Sequence, residues 1–122
     1  MKKRILVVDD NVDILELVEI ILKRHGFEIL KSPRGEDTLK NVETFSPQVI
    51  LLDVYLGGVN GTDICKELKA NPITSNIPII MFSAHSNSKF VFQECRADDF
   101  IAKPFDINNL VQKIESQIKE SN

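Results

Sequence analysis

Four consecutive apolar residues, Val49-Ile50-Leu51-Leu52, run directly into a carboxylate, Asp53. An alternating pattern would leave one face for water. An unbroken run bounded by turn residues instead specifies a strand covered on both faces, as in a parallel sheet. Arg4-Ile5-Leu6-Val7-Val8 is a second such run, and it ends in Asp9-Asp10. Ile77-Pro78-Ile79-Ile80-Met81-Phe82 is a third, ending in Ser83, with Pro78 tolerable near the strand start. Asp99-Phe100-Ile101-Ala102 ends in Lys103-Pro104, and Phe27-Glu28-Ile29-Leu30 gives a weaker strand signal.

Helical patterns separate these strands. Asn11 is a good N-cap for a helix with Ile14, Leu17, Val18 and Ile21 on one face, and Gly26 suits the position after its end. Pro33 marks a turn before a weaker helix carrying Leu39, Val42 and Phe45. A loop with Gly57, Gly58 and Gly61 follows Asp53, and glycines let backbone approach whatever Asp53 holds. A short helix then turns Ile64 and Leu68 inward and stops at Asn71-Pro72. Residues 86–96 show no clear period. Asp106 caps a last helix with Ile107, Val111, Ile114 and Ile118 on one face. Five βα units in succession predict an α/β fold, a doubly wound (βα)5 three-layer sandwich around a five-stranded parallel sheet.

At 122 residues the chain reads as one domain, 1–122, with no effector domain after the last helix. A net charge of −3 leaves no basic footprint for nucleic acid or anionic lipid. Lys2-Lys3-Arg4 precede too short an apolar run for a signal peptide, and no stretch has membrane-spanning length. The expected location is cytoplasmic. Cys65 and Cys95 lack metal-ligand spacing and read as packing residues in a reducing compartment.

The strand ends carry the chemistry. In a doubly wound sheet Asp9, Asp10, Asp53, Ser83 and Lys103 share one edge, where ligands of such sheets bind. Singly, each has a plainer reading: a helix cap, a turn carboxylate, a loop hydroxyl, a solvated ammonium. Together they require a reason, because carboxylates ~4–5 Å apart repel by ~3–4 kcal/mol per pair at an effective dielectric constant of ~20. A hard cation supplies one, and Mg²⁺ favours a few carboxylates with waters kept in its shell. With a lysine and a hydroxyl nearby, the cluster suits a phosphoryl group, and the central carboxylate can itself be the nucleophile.

The chain resembles the receiver domain of two-component response regulators over essentially its whole length. The resemblance rests on Val7-Val8-Asp9-Asp10-Asn11, Ile50-Leu51-Leu52-Asp53, Ser83-Ala84, and Asp98-Asp99-Phe100-Ile101-Ala102-Lys103-Pro104-Phe105 in this order and spacing. It implies a flavodoxin-like strand order, 2-1-3-4-5. It implies Asp53 as phosphoacceptor, supplied by a histidine kinase or histidine phosphotransfer protein, and Mg²⁺ on Asp10, Asp53 and the Tyr55 carbonyl with Asp9 acting through water. Lys103 then pairs with Asp53 and later with the phosphoryl oxygens. Ser83 and Phe100 are the implied switch residues, Tyr55 and His85 tune water attack, and Lys103-Pro104 is a cis peptide. Output goes to a downstream protein partner, not directly to nucleic acid or membrane. The domain is thereby a signalling protein that catalyses its own phosphorylation and dephosphorylation.

Three departures stand out. Gly57 replaces the family's usual Pro, Arg96 its usual Gly, and the stretch from Ser83 to Lys103 is slightly short. If position 96 needs a positive φ, Arg96 is strained there. The alternative function is a phosphate-independent pseudo-receiver interaction module, disfavoured because every site residue is intact. A flavin carrier of the same topology lacks support in a chain with no Trp, one Tyr and no Ser/Thr-rich loop after its first strand. A hydrolase with Asp9 as nucleophile would want an acid at position 11, which is Asn.

Overall fold

The protein is described here from a computed structural model, over residues 2–84 and 94–118. Strands β1 (Arg4–Val8), β2 (Glu28–Ser32), β3 (Val49–Asp53), β6 (Ile79–Ser83) and β7 (Asp99–Ala102) form one sheet. Its order is β2-β1-β3-β6-β7 and every pairing is parallel, so the five main strands follow the expected order 2-1-3-4-5. A two-stranded antiparallel ribbon, β4 (Tyr55–Leu56) and β5 (Val59–Asn60), occupies the loop after Asp53. Among the described residues the helices that flank the sheet are α1 (Val12–Arg24), α2 (Thr38–Phe45), α3 (Gly61–Ala70) and α4 (Ile107–Ile118). None is long and apolar enough to cross a membrane.

The unbroken apolar runs have the predicted consequence. Every residue of β3 and β6 is buried. Successive side chains point to opposite faces, and the core divides accordingly. Ile5, Val7, Val49 and Leu51 pack with α1 and α4, while Leu6, Val8, Ile50 and Leu52 pack with α2 and α3. Both faces of the central strands are dry, so their edges are the only place where polar groups can meet solvent.

Three helix faces differ from the sequence reading. In α2 only Val42 of the expected face is buried, joined by Thr38, while Leu39 is 47% exposed. Helix α1 buries Leu15, Val18, Ile21 and Leu22, with Leu17 47% exposed and Ile14 partly buried against the core. The segment is so rich in aliphatics that two overlapping stripes fit a helical period, and only the sheet selects between them. Helix α4 buries Leu110, Val111, Ile114 and Ile118, whereas Ile107 is 50% exposed. Ile107 is the first residue of the helix, and the buried residues begin at Leu110. The caps follow expectation. The Asn11 side chain accepts the Asp13 and Ile14 N–H groups, and Asp106 accepts that of Asn109. Gly26 has φ 87° after α1, where the left-handed region suits it.

Substitution of the two α4 residues separates these faces. Leu110→Ala should lose ~2–5 kcal/mol of stability as a core truncation, and Ile107→Ala no more than ~0.5 kcal/mol as a surface change. Urea unfolding midpoints at constant slope measure both.

Candidate functional site

The register of the parallel strands sets the site. Asp53 lies opposite Phe82 at the end of β3, and Ser83 lies opposite Ala102 at the end of β6. The chain beyond β1 is pinned by the Asp9 N–H, which donates to the Ser32 carbonyl at 3.1 Å. The chain beyond β7 is pinned by the Lys103 N–H, which donates to the Ser83 carbonyl at 2.8 Å. Lys103-Pro104 is cis, as expected.

These anchors bring three acids and one cation together. Asp9, Asp10 and Asp53 each place one carboxylate oxygen within 4.8 Å of the others. Asp9 is fully buried, Asp53 nearly so, and Asp10 is exposed. The Lys103 ammonium donates to Asp9 Oδ2 at 2.7 Å and lies 3.4 Å from Asp53 Oδ2. The resemblance paired it with Asp53; in this structure Asp9 is the closer partner. Asp9 Oδ1 accepts the Asn11 N–H at 2.9 Å. The lysine amine also sits 4.6 Å from the centre of the Phe82 ring, a cation–π position. Neither that ring nor the Asn11 amide was readable as a site component, since an apolar strand residue and a backbone N–H carry no chemical signature in sequence.

One ammonium does not neutralise three carboxylates. Asp53 registers the imbalance, with its pKa pushed up from 3.8 to about 6. Burial is the main cause and the Asp9 charge the second; the Lys103 ammonium and the Tyr55 N–H oppose them. The donor set is all oxygen, clustered at one solvent-facing edge with the acid charge in excess. That is the chemistry a hard divalent cation satisfies, so the residues fit Mg²⁺.

The following loop is shaped to reach this edge. The Gly61 N–H donates to the Val54 carbonyl at 2.7 Å, and a Cβ on Gly61 would overlap the Asp53 carbonyl oxygen. Gly57 has φ 65° and passes close to the Asp10 carboxylate. Arg96 has φ 63°, so the position where the family usually has Gly does adopt the left-handed region. Ser83 is buried at the site edge. Phe100 is partly buried against the α2/α3 side of the core, and Tyr55 is about half exposed. His85 lies outside the described residues.

A sequence profile described as "Response regulator receiver domain" matches residues 5–115. The chain is 36% identical to the DNA-binding response regulator MtrA of Mycobacterium tuberculosis, over 99% of this chain and 53% of that protein. It is 34% identical to the alkaline phosphatase synthesis transcriptional regulatory protein PhoP of Bacillus subtilis, over 99% of this chain and 50% of that protein. The chain thus spans about half the length of these relatives. A crystal structure of a putative response regulator from Chloroflexus aurantiacus superposes with a TM-score of 0.92 at 30% identity, covering 97% of this chain and 98% of that one.

The raised Asp53 pKa has a defined sign. The folded state binds the proton more tightly than the unfolded chain. Ionising Asp53 therefore costs stability, a cost complete above pH 6 and lost as pH falls toward 3.8. Asp53→Asn should raise the metal-free melting temperature at pH 7 by a few degrees, about 1–2 kcal/mol after allowance for solvent screening. The gain should vanish near pH 4. Thermal melts in chelator across this range measure it. Separately, Gly61→Ala should destabilise the protein by at least ~2 kcal/mol through its clash with the Asp53 backbone, whereas Gly58→Ala, with open space around its Cβ, should have little effect.

Proposed function

This chain belongs to the response regulator receiver domain family, and we propose that within it Asp53 accepts a phosphoryl group from a phosphohistidine. The observation that carries this reading is the acid cluster closed by a single, partly buried lysine. Asp53 is the carboxylate at the end of the middle strand, and its pKa near 6 leaves it mainly ionised at neutral pH. One Asp53 oxygen attacks phosphorus, the phosphorus–nitrogen bond breaks, and the donor imidazole leaves with the bond electrons. The product is an acyl phosphate.

When bound, Mg²⁺ held by Asp10, Asp53 and the Tyr55 carbonyl, with Asp9 acting through water, supplies charge neutralisation for the incoming oxygens. Asp9 suits that outer role, because one oxygen already accepts the Asn11 N–H and the other the Lys103 ammonium. Lys103 lies between Asp9 and Asp53, so a small movement of its amine meets a phosphoryl oxygen on Asp53. Ser83 offers a hydroxyl at the next strand end, and a shift of Ser83 toward the phosphoryl group opens space into which Phe100 turns. Tyr55 shields the acyl phosphate from water.

The donor is a histidine kinase or histidine phosphotransfer protein. An apolar groove beside Lys103 gives it a place to dock, lined by Ile14, Leu17, Ile21, Pro104, Phe105 and Ile107. The exposure of Leu17 and Ile107 is consistent with such a surface. Output passes to a protein partner from the cytoplasm, and a net charge of −3 gives this chain no nucleic-acid role of its own.

Acetyl phosphate with Mg²⁺ should add the mass of one phosphoryl group to the intact protein. Chelator should abolish the gain, and so should Asp53→Asn. Persistent labelling of Asp53→Asn would overturn the assignment. Tyr55→Ala should lose the label faster than wild type in the same assay; slower loss counts against shielding.

A further inference from the structure

Two thiols that the phosphoryl chemistry does not use lie together on the other side of the sheet from α1. Cys65 is on α3 and fully buried, and Cys95 is in the turn that leads to β7 and also buried. They are thirty residues apart in sequence, yet the Cys65 thiol donates toward the Cys95 carbonyl oxygen at 3.3 Å and also hydrogen-bonds the Cys95 sulfur. The Cys95 sulfur further accepts the N–H of Ala97 and its own N–H. Arg96, between them at φ 63°, folds the chain so that the Ala97 amide points back at that sulfur. Successive N–H groups around a left-handed residue form a concavity that suits an anion. A hydrophobic packing pair needs no such donors.

We propose that Cys65 and Cys95 form a redox pair, closed by hydrogen peroxide into a disulfide that ties α3 to the turn before β7. Cys95 is the attacking sulfur. Its pKa is lowered to about 7, first by the Cys65 hydrogen bond and then, against the effect of burial, by the two amides and Lys66. Cys65 is shifted upward by the same hydrogen bond and by burial, with Asp98 adding to the rise and Lys69 opposing it. The pair thus divides into one sulfur that accepts from a thiol and two amides and one thiol that donates, the arrangement that favours the first sulfur as nucleophile.

The step balances. The Cys95 thiolate attacks one peroxide oxygen, the O–O bond breaks, and hydroxide leaves to be protonated to water. The sulfenic acid formed is then attacked at sulfur by Cys65, which gives up its proton as a second water departs. Two thiols are oxidised by two electrons and one peroxide is reduced to two waters. The Cys65 sulfur already lies 3.3 Å from the Cys95 backbone carbonyl, so the two side chains are neighbours before the sulfurs close to the ~2.05 Å of an S–S bond. The reaction uses no residue of the phosphoryl site and is independent of the reading above.

Peroxide treatment of the native protein, quenched with catalase and followed by denaturation and alkylation, tests it. The expected product has lost two hydrogens, takes up no alkylating reagent, and yields a Cys65–Cys95 linked peptide that dithiothreitol separates. It should form equally in Asp53→Asn. In Cys65→Ser, dimedone should trap a sulfenic acid at Cys95. On limited alkylation of the untreated native protein at pH 7, Cys95 should be modified before Cys65. Full alkylation of both thiols after peroxide overturns the proposal. So does a disulfide only between molecules, or modification of both cysteines at one rate that merely tracks unfolding in urea.

Discussion

A single ammonium placed between two buried carboxylates is the constraint on which the site depends. Lys103 reaches Asp9 at 2.7 Å and Asp53 at 3.4 Å, with Phe82 beneath its charge. Buried carboxylates without a partner would protonate or force the strand ends apart. One lysine shared by two acids prevents that, but it leaves excess negative charge, and the Asp9 charge adds to burial in raising the Asp53 pKa. The resting arrangement is therefore stable enough to fold and carries a surplus of acid charge that a cation would relieve.

The sheet makes this tension possible. Its central strands are dry on both faces, and the one charged side chain of β3, Asp53, stands at its carboxyl end. Parallel register then brings residues from positions 9, 53, 83 and 103 within a few ångströms without any local sequence contact. Backbone proximity tightens the same edge. Gly61 leaves room for the Asp53 carbonyl, and Gly57 passes the Asp10 carboxylate in a conformation few other residues adopt. Two further lysines fasten the strands away from the site. Lys69 bridges Asp98 and the carbonyls of Ser75 and Ile77, and Lys113 bridges Asp99 and the Phe100 carbonyl.

Much of this was legible because strand burial and strand-end chemistry are both local in sequence. Val49–Asp53 announces a buried strand and its carboxylate in one stretch, and the topology does the rest. Helix rotation was less legible. Val12–Arg24 contains enough aliphatics for two stripes, and only contact with the sheet buries Leu15 and Leu22 rather than Leu17. The lysine's preference for Asp9 was also out of reach, since it depends on sub-ångström positions at three strand ends. The thiol pair was missed for a related reason. Spacing rules find cysteines that are neighbours along the chain, and Cys65 and Cys95 become neighbours only through packing.

The two proposed chemistries border one stretch of chain. The connection between β6 and β7 leaves the sheet just after Ser83, beside the acid cluster, and returns through the turn that contains Cys95. Its return is already fixed by backbone and side chain together, because the Asp98 N–H donates to the Ile79 carbonyl while the Asp98 carboxylate accepts the Ile79 N–H and the Lys69 ammonium. The end of β6 carries Ser83, beside the acid cluster, and the return turn carries Cys95, so the proposed phosphoryl chemistry and the proposed thiol chemistry stand at opposite ends of the same connection while drawing on different side chains.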